Sequence, residues 1–402
     1  MSNFEKMLDL INSKAASNNC FITHCGNSKA ANLKITDINE LKELMNYDDD
    51  TINDIKNSHE TLDPGALLTR NIITGKINEI PNNAAVNLSV AAMPDVAVPN
   101  GMQWVLPKGS NLQLCLVNLT LGVGASVKSE SSVLSMEVEN LIRGNVEYDP
   151  ELKPVIGEFV SAKASFDFGV FGTDGRTGAA GADGEPGRDG ADGRSAVCGP
   201  GGGTPIGGDK AENGENGTDG MDGANGYNGE NGSPSKITTL TFSNVDTGVG
   251  KIAFYTISGN GGNGGRGGHG GKGGNGGKGG NGTECGCTGM DAANGANGGD
   301  GGNGGDGGNG GDAVNGESIT IYVNKEFGKN NVLVSCDIAK PGDGGHGGNG
   351  GQAGIGGRHG NQGNKYSDAG SDGANGNNGK AGDVGKEGAQ SGQPGIVSIR
   401  EI

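Results

Sequence analysis

The sequence predicts a mainly β chain joined to polyglycine-II: a small N-terminal helical segment and a β-sandwich, then a bundle of packed polyglycine-II helices with interspersed β-hairpins. Three observations carry this. Apolar residues alternate with polar ones from Ala84 onward, as in Val86, Leu88 and Val90 separated by Asn87 and Ser89. Most of the chain's 85 glycines lie after Phe168, and there they recur at every third residue. Strand-like pieces beginning near Ile237, Ile319 and Ile396 return at intervals of 82 and 77 residues, which is the mark of a repeat.

The elements follow in order. "NFEKMLDLI" sets Phe4, Met7, Leu8 and Ile11 on one helical face. In "TDINELKELM", Asp37 with Glu40 reads as a capping box ahead of Leu41, Leu44 and Met45. "DDDTINDIKNSHETLDPG" reads as a polar connection ending in a turn. Residues 1–80 are thus short helices and a connection, and 81–168 a sandwich-like attachment or assembly domain. "NLQLCLVNLTL", "SSVLSMEVEN" and "FVSAKASFDF" supply its strands, with Trp104 as a core anchor. Residues 169–235 form a G-x-y region, and 236–402 two strand-strand-glycine modules with a closing strand.

Phase separates the glycine runs from a slack linker. It holds over 172–193, 214–232, 261–282, 295–310, 342–363 and 370–388. A helix with three residues per turn puts each triplet position on one face and makes no internal hydrogen bonds, so its backbone groups seek partners on neighbours. "GGNGGRGGHGGK" frees two faces for close packing. The G-x-y run of 172–235 fits either an edge of such a bundle or a collagen-like stalk. Arg266, Lys272 and Lys278 recur every six residues, as do Asp300, Asp306 and Asp312. A fold-back near Gly289 predicts antiparallel neighbours pairing Lys278 with Asp300, Lys272 with Asp306 and Arg266 with Asp312.

Other chemistry is thin. A formal charge of −17 opposes binding to nucleic acid or an anionic membrane surface. No stretch is long and apolar enough for a membrane span, and the N-terminus lacks the apolar core of a secretory signal. Seven cysteines without a CxxC pair give neither a zinc ribbon nor a disulfide framework, so free or partly paired thiols are expected. Cys285 and Cys287 sit at the fold-back as a thiol turn, a soft-metal or intermolecular-disulfide role being the alternative. His269 and His346 occupy comparable positions as outward polar side chains, with a paired metal or pH-sensitive site as the alternative. No catalytic spacing, metal site or cofactor is expected; weak Ca²⁺ binding by "GGDGGNGGDGGNGGDA" is the alternative there.

The GGx runs over roughly 259–390 resemble the glycine-rich motifs of the tip adhesins of T-even-like phage tail fibres, and more weakly the polyglycine-II bundle of snow-flea-type antifreeze proteins. The resemblance implies a scaffold whose loops bind a receptor. The charged third positions depart from an ice-binding face. The expectation is therefore a non-enzymatic fibre or tip adhesin, on a virion or an extracellular appendage. Residues 1–168 would contact the chain itself or another fibre protein, and a cell-surface receptor or glycan would meet the turns. Thr283, Glu284, Met290, Asp291, Lys365 and Tyr366 are the candidate contacts. The alternative is a filament subunit without receptor specificity.

Overall fold

The computed structural model describes residues 2–16, 20–25, 27–45, 47–58, 64–80, 85–130, 132–150, 153–200, 208–286 and 288–402. Near the N-terminus, α1 (Asn3–Ala16) is followed by an antiparallel pair, β1 (Cys20–Cys25) and β2 (Ser28–Ile35), and then by α2 (Ile38–Met45). The Asp37 carboxylate accepts from the Asn39 N–H at 2.8 Å. Glu40 does not close a capping box; it forms an ion pair with Lys14 of α1. The stretch expected as a polar connection holds α3 (Asp49–Asn57) and the start of α4 (Pro64–Ile73). Asp48 caps α3, accepting from the Thr51 N–H. Thr51 and Ile55, one turn apart, are the residues α3 buries.

The strands that follow coil. β3 (Val86–Val98), β5 (Asn111–Leu121), β7 (Val133–Arg143), β10 (Thr238–Val245), β14 (Ile319–Val323) and β16 (Val397–Glu401) lie side by side in that order, all parallel. β2 joins them antiparallel on β3, giving an eight-stranded sheet with β1 at its edge. The chain alternates between this sheet and a second. There β4 (Met102–Val105), β6 (Ser126–Glu130), β9 (Phe168–Phe171), β11 (Ile252–Ile257) and β15 (Val332–Cys336) are parallel neighbours, and β8 (Glu158–Ser161) is antiparallel on β4. The protein is mainly β.

Two corrections follow. The paired strand pieces "SPSKITTLTF" with "KIAFYTI" and "NGESITIYV" with "NVLVSCDI" are not hairpins, because β10 and β14 belong to one sheet and β11 and β15 to the other. Nor do 168 and 235 separate domains, because β7 pairs with β10 across that whole interval. Apolar side chains of both sheets meet between them: Leu112, Leu114, Phe242 and Ile321 face Trp104, Phe168 and Phe254. The Trp104 indole donates to the Ile156 carbonyl at 2.9 Å. The helices cover the outer face of the first sheet, where Ile11, Leu41, Ile55 and Ile72 pack with Leu88, Val90 and Ile237. A buried pair ties α4 to this sheet, the Arg70 guanidinium donating to Glu317 at 2.7 Å and to the Ile55 and Ser58 carbonyls.

The glycine triplets lie between strands of the last coils. After β9 the chain runs out as rod 1 (172–195) and returns as rod 2 (212–234) into β10; rods 3 (259–282) and 4 (293–316) join β11 to β14, and rods 5 (340–363) and 6 (370–395) join β15 to β16. Rods 1, 3 and 5 form one layer of parallel neighbours, with Gly175 N–H donating to Asn260 O and Gly264 N–H to Asp343 O, both at 2.8 Å. Rods 2, 4 and 6 form the other, with Gly217 N–H on Asn297 O and Gly298 N–H on Ala374 O. Between layers neighbours are antiparallel, as Gly262 N–H on Glu230 O and Gly302 N–H on Gly271 O show. These bonds recur every third residue.

In rods 3 and 4 two of the three N–H groups of a triplet serve these contacts. The third faces outward, and at every such position of rod 4 from Asn294 to Asp312 and most of rod 3 it finds a side chain on the same-layer neighbour. Asp300 N–H donates to the Asp219 carboxylate and Asn377 N–H to that of Asp300; Asn303 N–H donates to Asp222 and Lys380 N–H to the Asn303 amide. The other layer does likewise through Asp174, Asn260 and Lys340. This is the physical reason for Asn and Asp at the third position: a short acceptor there satisfies the neighbour's orphan donor.

The expected ion pairs do not form. Rods 3 and 4 pair with residue numbers summing to 573, as in Gly299 N–H on Gly274 O, so Lys272 does not face Asp306. Moreover, third-position side chains of rod 3 reach rods 1 and 5, whereas Asp300, Asp306 and Asp312 accept from Asn377, Asp383 and Ala389 of rod 6. The two sets sit on opposite outer faces, with glycine between. Arg266, Lys272 and Lys278 are therefore not partners of Asp312, Asp306 and Asp300. His269 and His346 are not paired either: His269 Nδ1 accepts from the Asn349 N–H, while the His346 carbonyl accepts from Gly267.

A candidate functional site at the rod turns

The outward rods end at one place, so their turns gather there. The first turn brings Val197 N–H onto Asp209 O at 2.9 Å. The second is the hairpin of β12 (Thr283–Cys285) and β13 (Thr288–Met290), in which Thr283 pairs with Met290 and Glu284 with Gly289. The third is 364–369, held by Asn364: its N–H donates to the Ser367 hydroxyl, and its amide oxygen accepts from the Tyr366 N–H.

A disulfide between Cys198 and Cys285 joins the first turn to the second, with Cα atoms 5.7 Å apart. Cys285 is therefore neither a free thiol nor available to metal or to another chain; Cys287 lies outside the described residues. Ala196, Cys285 and Met290 pack as a small apolar cluster, flanked by Cys198 and Ala211. The second turn meets the third through Ala292 N–H on Asp368 O and Asp368 N–H on the Asp291 carboxylate, 3.0 and 2.7 Å. Gly289 lies so close to Asn364 that an added Cβ would come within 2.3 Å of its amide oxygen.

The six expected contact residues thus come together, in different roles. Met290 is buried in the cluster, and the Asp291 carboxylate holds the third turn. Thr283 is half-buried, Glu284 is exposed, and Tyr366 is 68% exposed with the Lys365 ammonium 4.8 Å from its ring centroid. A recess of about 340 Å³ opens beside the cluster, lined by Lys210, Asn213, Met290, Asp291 and Asn294 among others. Lys210 comes from the first turn and Asn213 from the start of rod 2, neither of which sequence reasoning placed here. The signal was Cys198, whose partner lies 87 residues away.

Two contacts between charged groups lie on the nearby rods. Arg194 donates to Glu212 at 2.9 Å; this hydrogen bond raises the Arg194 pKa and lowers that of Glu212. Asp372 is lowered chiefly by the His359 backbone N–H, then by the His359 ring at 2.6 Å. Among the described residues no group of three or more His, Cys, Asp or Glu is placed to hold a metal ion, and no helix is long and apolar enough to cross a membrane. Comparison with protein-family models, curated proteins and solved structures finds no match to this chain.

Proposed function

We propose that the protein is a non-enzymatic adhesive scaffold: six polyglycine-II helices form a rigid arm that presents its gathered turns to a cell-surface receptor or glycan. The observation that carries this is the meeting of three turns, cross-linked by Cys198–Cys285, at the far end of the rods from the sheets. At ~3.1 Å per residue a rod of this length reaches about 75 Å. The triplet spacing of the hydrogen bonds supports the polyglycine-II assignment, and packing within one chain removes the need for a collagen-like trimer. Side chains at both lateral borders favour a finite bundle. On rod 2 the phase opposite glycine carries Met221 and Tyr227, both exposed, and on rod 6 Asp372, Asn375 and Asn378 turn onto rod 5 in place of a further backbone. The intrachain disulfide suits an oxidising location such as a virion or extracellular appendage.

The test is binding of fluorescent full-length protein to a panel of cells and glycans, with Glu284→Ala and the pair Lys365→Ala, Tyr366→Ala as variants. Saturable binding lost in the variants supports the reading; binding that survives both, or none across the panel, overturns it. One observation favours the filament alternative. The free border of β15 exposes Leu333 and Val334, and unpaired edge strands invite pairing with another chain. Light scattering coupled to size exclusion separates the two, a monomer supporting the adhesin and open-ended species the filament.

A further inference from the structure

Between α1, α2 and the outer face of the first sheet lies a cleft of about 630 Å³. Its floor is polar. Gln113 and Cys115 come from β5 and Glu137 from β7, with Cys115 and Glu137 adjacent in register. Its wall sets Met7 and Leu10 of α1 and Leu44 of α2 beside the charged Lys14, Glu40 and Glu43, and Lys6 stands at the rim. Asn3 donates to the Glu137 carboxylate at 2.5 Å, and these two residues also line an adjoining recess of about 210 Å³.

A surface that served only to seat helices would be apolar, as it is where Ile11 packs with Val90. Here instead Gln113 is 2% exposed and its Oε1 has no hydrogen-bond partner. Burial raises the Glu137 carboxyl, against the Asn3 hydrogen bond and the Lys6 charge that lower it. Buried polar groups are ordinarily satisfied, so an unsatisfied one beside a cavity points to a missing partner.

We propose that this cleft binds a small polyhydroxylated molecule, a mono- or disaccharide. Hydroxyls both donate and accept, so one ligand can donate to Gln113 Oε1 and Glu137 while accepting from Lys6. The C–H faces of a sugar ring suit Met7, Leu10 and Leu44. An acyl chain would leave Gln113 Oε1 without a donor and set hydrocarbon against the Glu137 carboxylate, and an anion would meet the Glu137 charge. The cleft is built by the helices and the sheet, away from the rod turns, so the inference stands independently of the adhesin reading.

The experiment is saturation-transfer NMR with calorimetry on the full-length protein, against neutral mono- and disaccharides. The expected result is binding by at least one sugar, weakened about tenfold or more in Glu137→Gln, as loss of a hydrogen bond to a charged group implies. Gln113→Leu deletes an unpaired amide and so preserves the fold, yet it weakens the same sugar; if Glu137→Gln fails to fold, this variant decides. No binding across the panel overturns the proposal. So does sugar binding that both variants retain, or binding of fatty acids alone.

Discussion

Gly268 lies in the middle of rod 3, with rod 1 on one side and rods 2 and 4 of the other layer behind it. Its N–H donates to Ala224 O, its carbonyl accepts from Gly305 N–H, both at 2.8 Å, and an added Cβ would stand 1.9 Å from Ala182 O. Real Cβ contacts essentially never fall under 3.0 Å. In Gly268→Ala the two rods must therefore part by about 1.1 Å, stretching 2.8 Å hydrogen bonds to about 3.9 Å, beyond bonding range. The flanking bonds from Gly181 to Arg266 O and from Gly184 to His269 O cross the same seam. Losing two or three bonds at ~1 kcal/mol each costs about 2–3 kcal/mol. Stiffening of the unfolded chain returns ~0.4–1 kcal/mol. A net destabilisation of about 1–2.6 kcal/mol follows, read by denaturant unfolding, with faster amide exchange at Gly181 and Gly184. Lys272→Ala, on the exposed face, is the control, with an expected change under ~0.5 kcal/mol. Equal stability of Gly268→Ala and the control would refute the reasoning, since close backbone approach would then not hold the rods.

Cys285→Ser frees the first turn from the second, and for a loop of this span the expected cost is about 2–4 kcal/mol; thermal unfolding with and without reductant measures it, and non-reducing peptide mapping shows Cys198–Cys285 in the native protein. Glu317→Ala removes the carboxylate to which the buried Arg70 guanidinium donates and should cost about 1.5–3 kcal/mol, seen as early loss of the helical signal on heating. Asp48 carries a pH prediction. Burial raises its carboxyl, but the Tyr322 hydroxyl, the Thr51 N–H and side chain and the Arg400 charge outweigh this and hold it below its ordinary value. A carboxylate depressed in the folded state contributes stability that is present above its unfolded pKa, near 4, and fades as pH falls through the folded value. Amide exchange in α3 should therefore accelerate below about pH 4 and do so less in Asp48→Asn.

Local signals were readable and long-range ones were not. The phase of Gly261–Gly282 marks the rods because a triplet is a local pattern. Phe4, Met7, Leu8 and Ile11 mark α1 in the same way. α3 was missed because its polar face dominates the composition, while Thr51, Ile52 and Ile55 make only a short stripe. The coiled topology was hidden because β9 pairs with β11 at a separation of 86 residues, and parallel partners leave no turn signature between them. The ion-pair register failed for a definable reason: matching charges by spacing assumes that they share a face, whereas the outward N–H groups recruit Asp300 and Asp306 within their own layer. Of the tip, Tyr366 and Lys365 were legible as a turn; the contribution of Lys210 and Asn213 depended on a cross-link that no spacing announces.

Strand register and rod register are the same number. β9 and β11 are offset by 86 residues and so are rods 1 and 3; β11 and β15 by 80, as are rods 3 and 5; β10 and β14 by 81, as are rods 2 and 4. Where β14 and β16 are offset by 78, rods 4 and 6 run at 77 and regain the residue between Ala389 and Gln393. The arm's length is therefore quantised. It grows or shrinks in whole triplets of about 9 Å, and only when all six rods change together. A triplet gained by one rod alone would push its turn beyond its neighbours and pull Cys198 away from Cys285. A lineage of such chains should accordingly differ by about 18 residues at a time, spread evenly over six places.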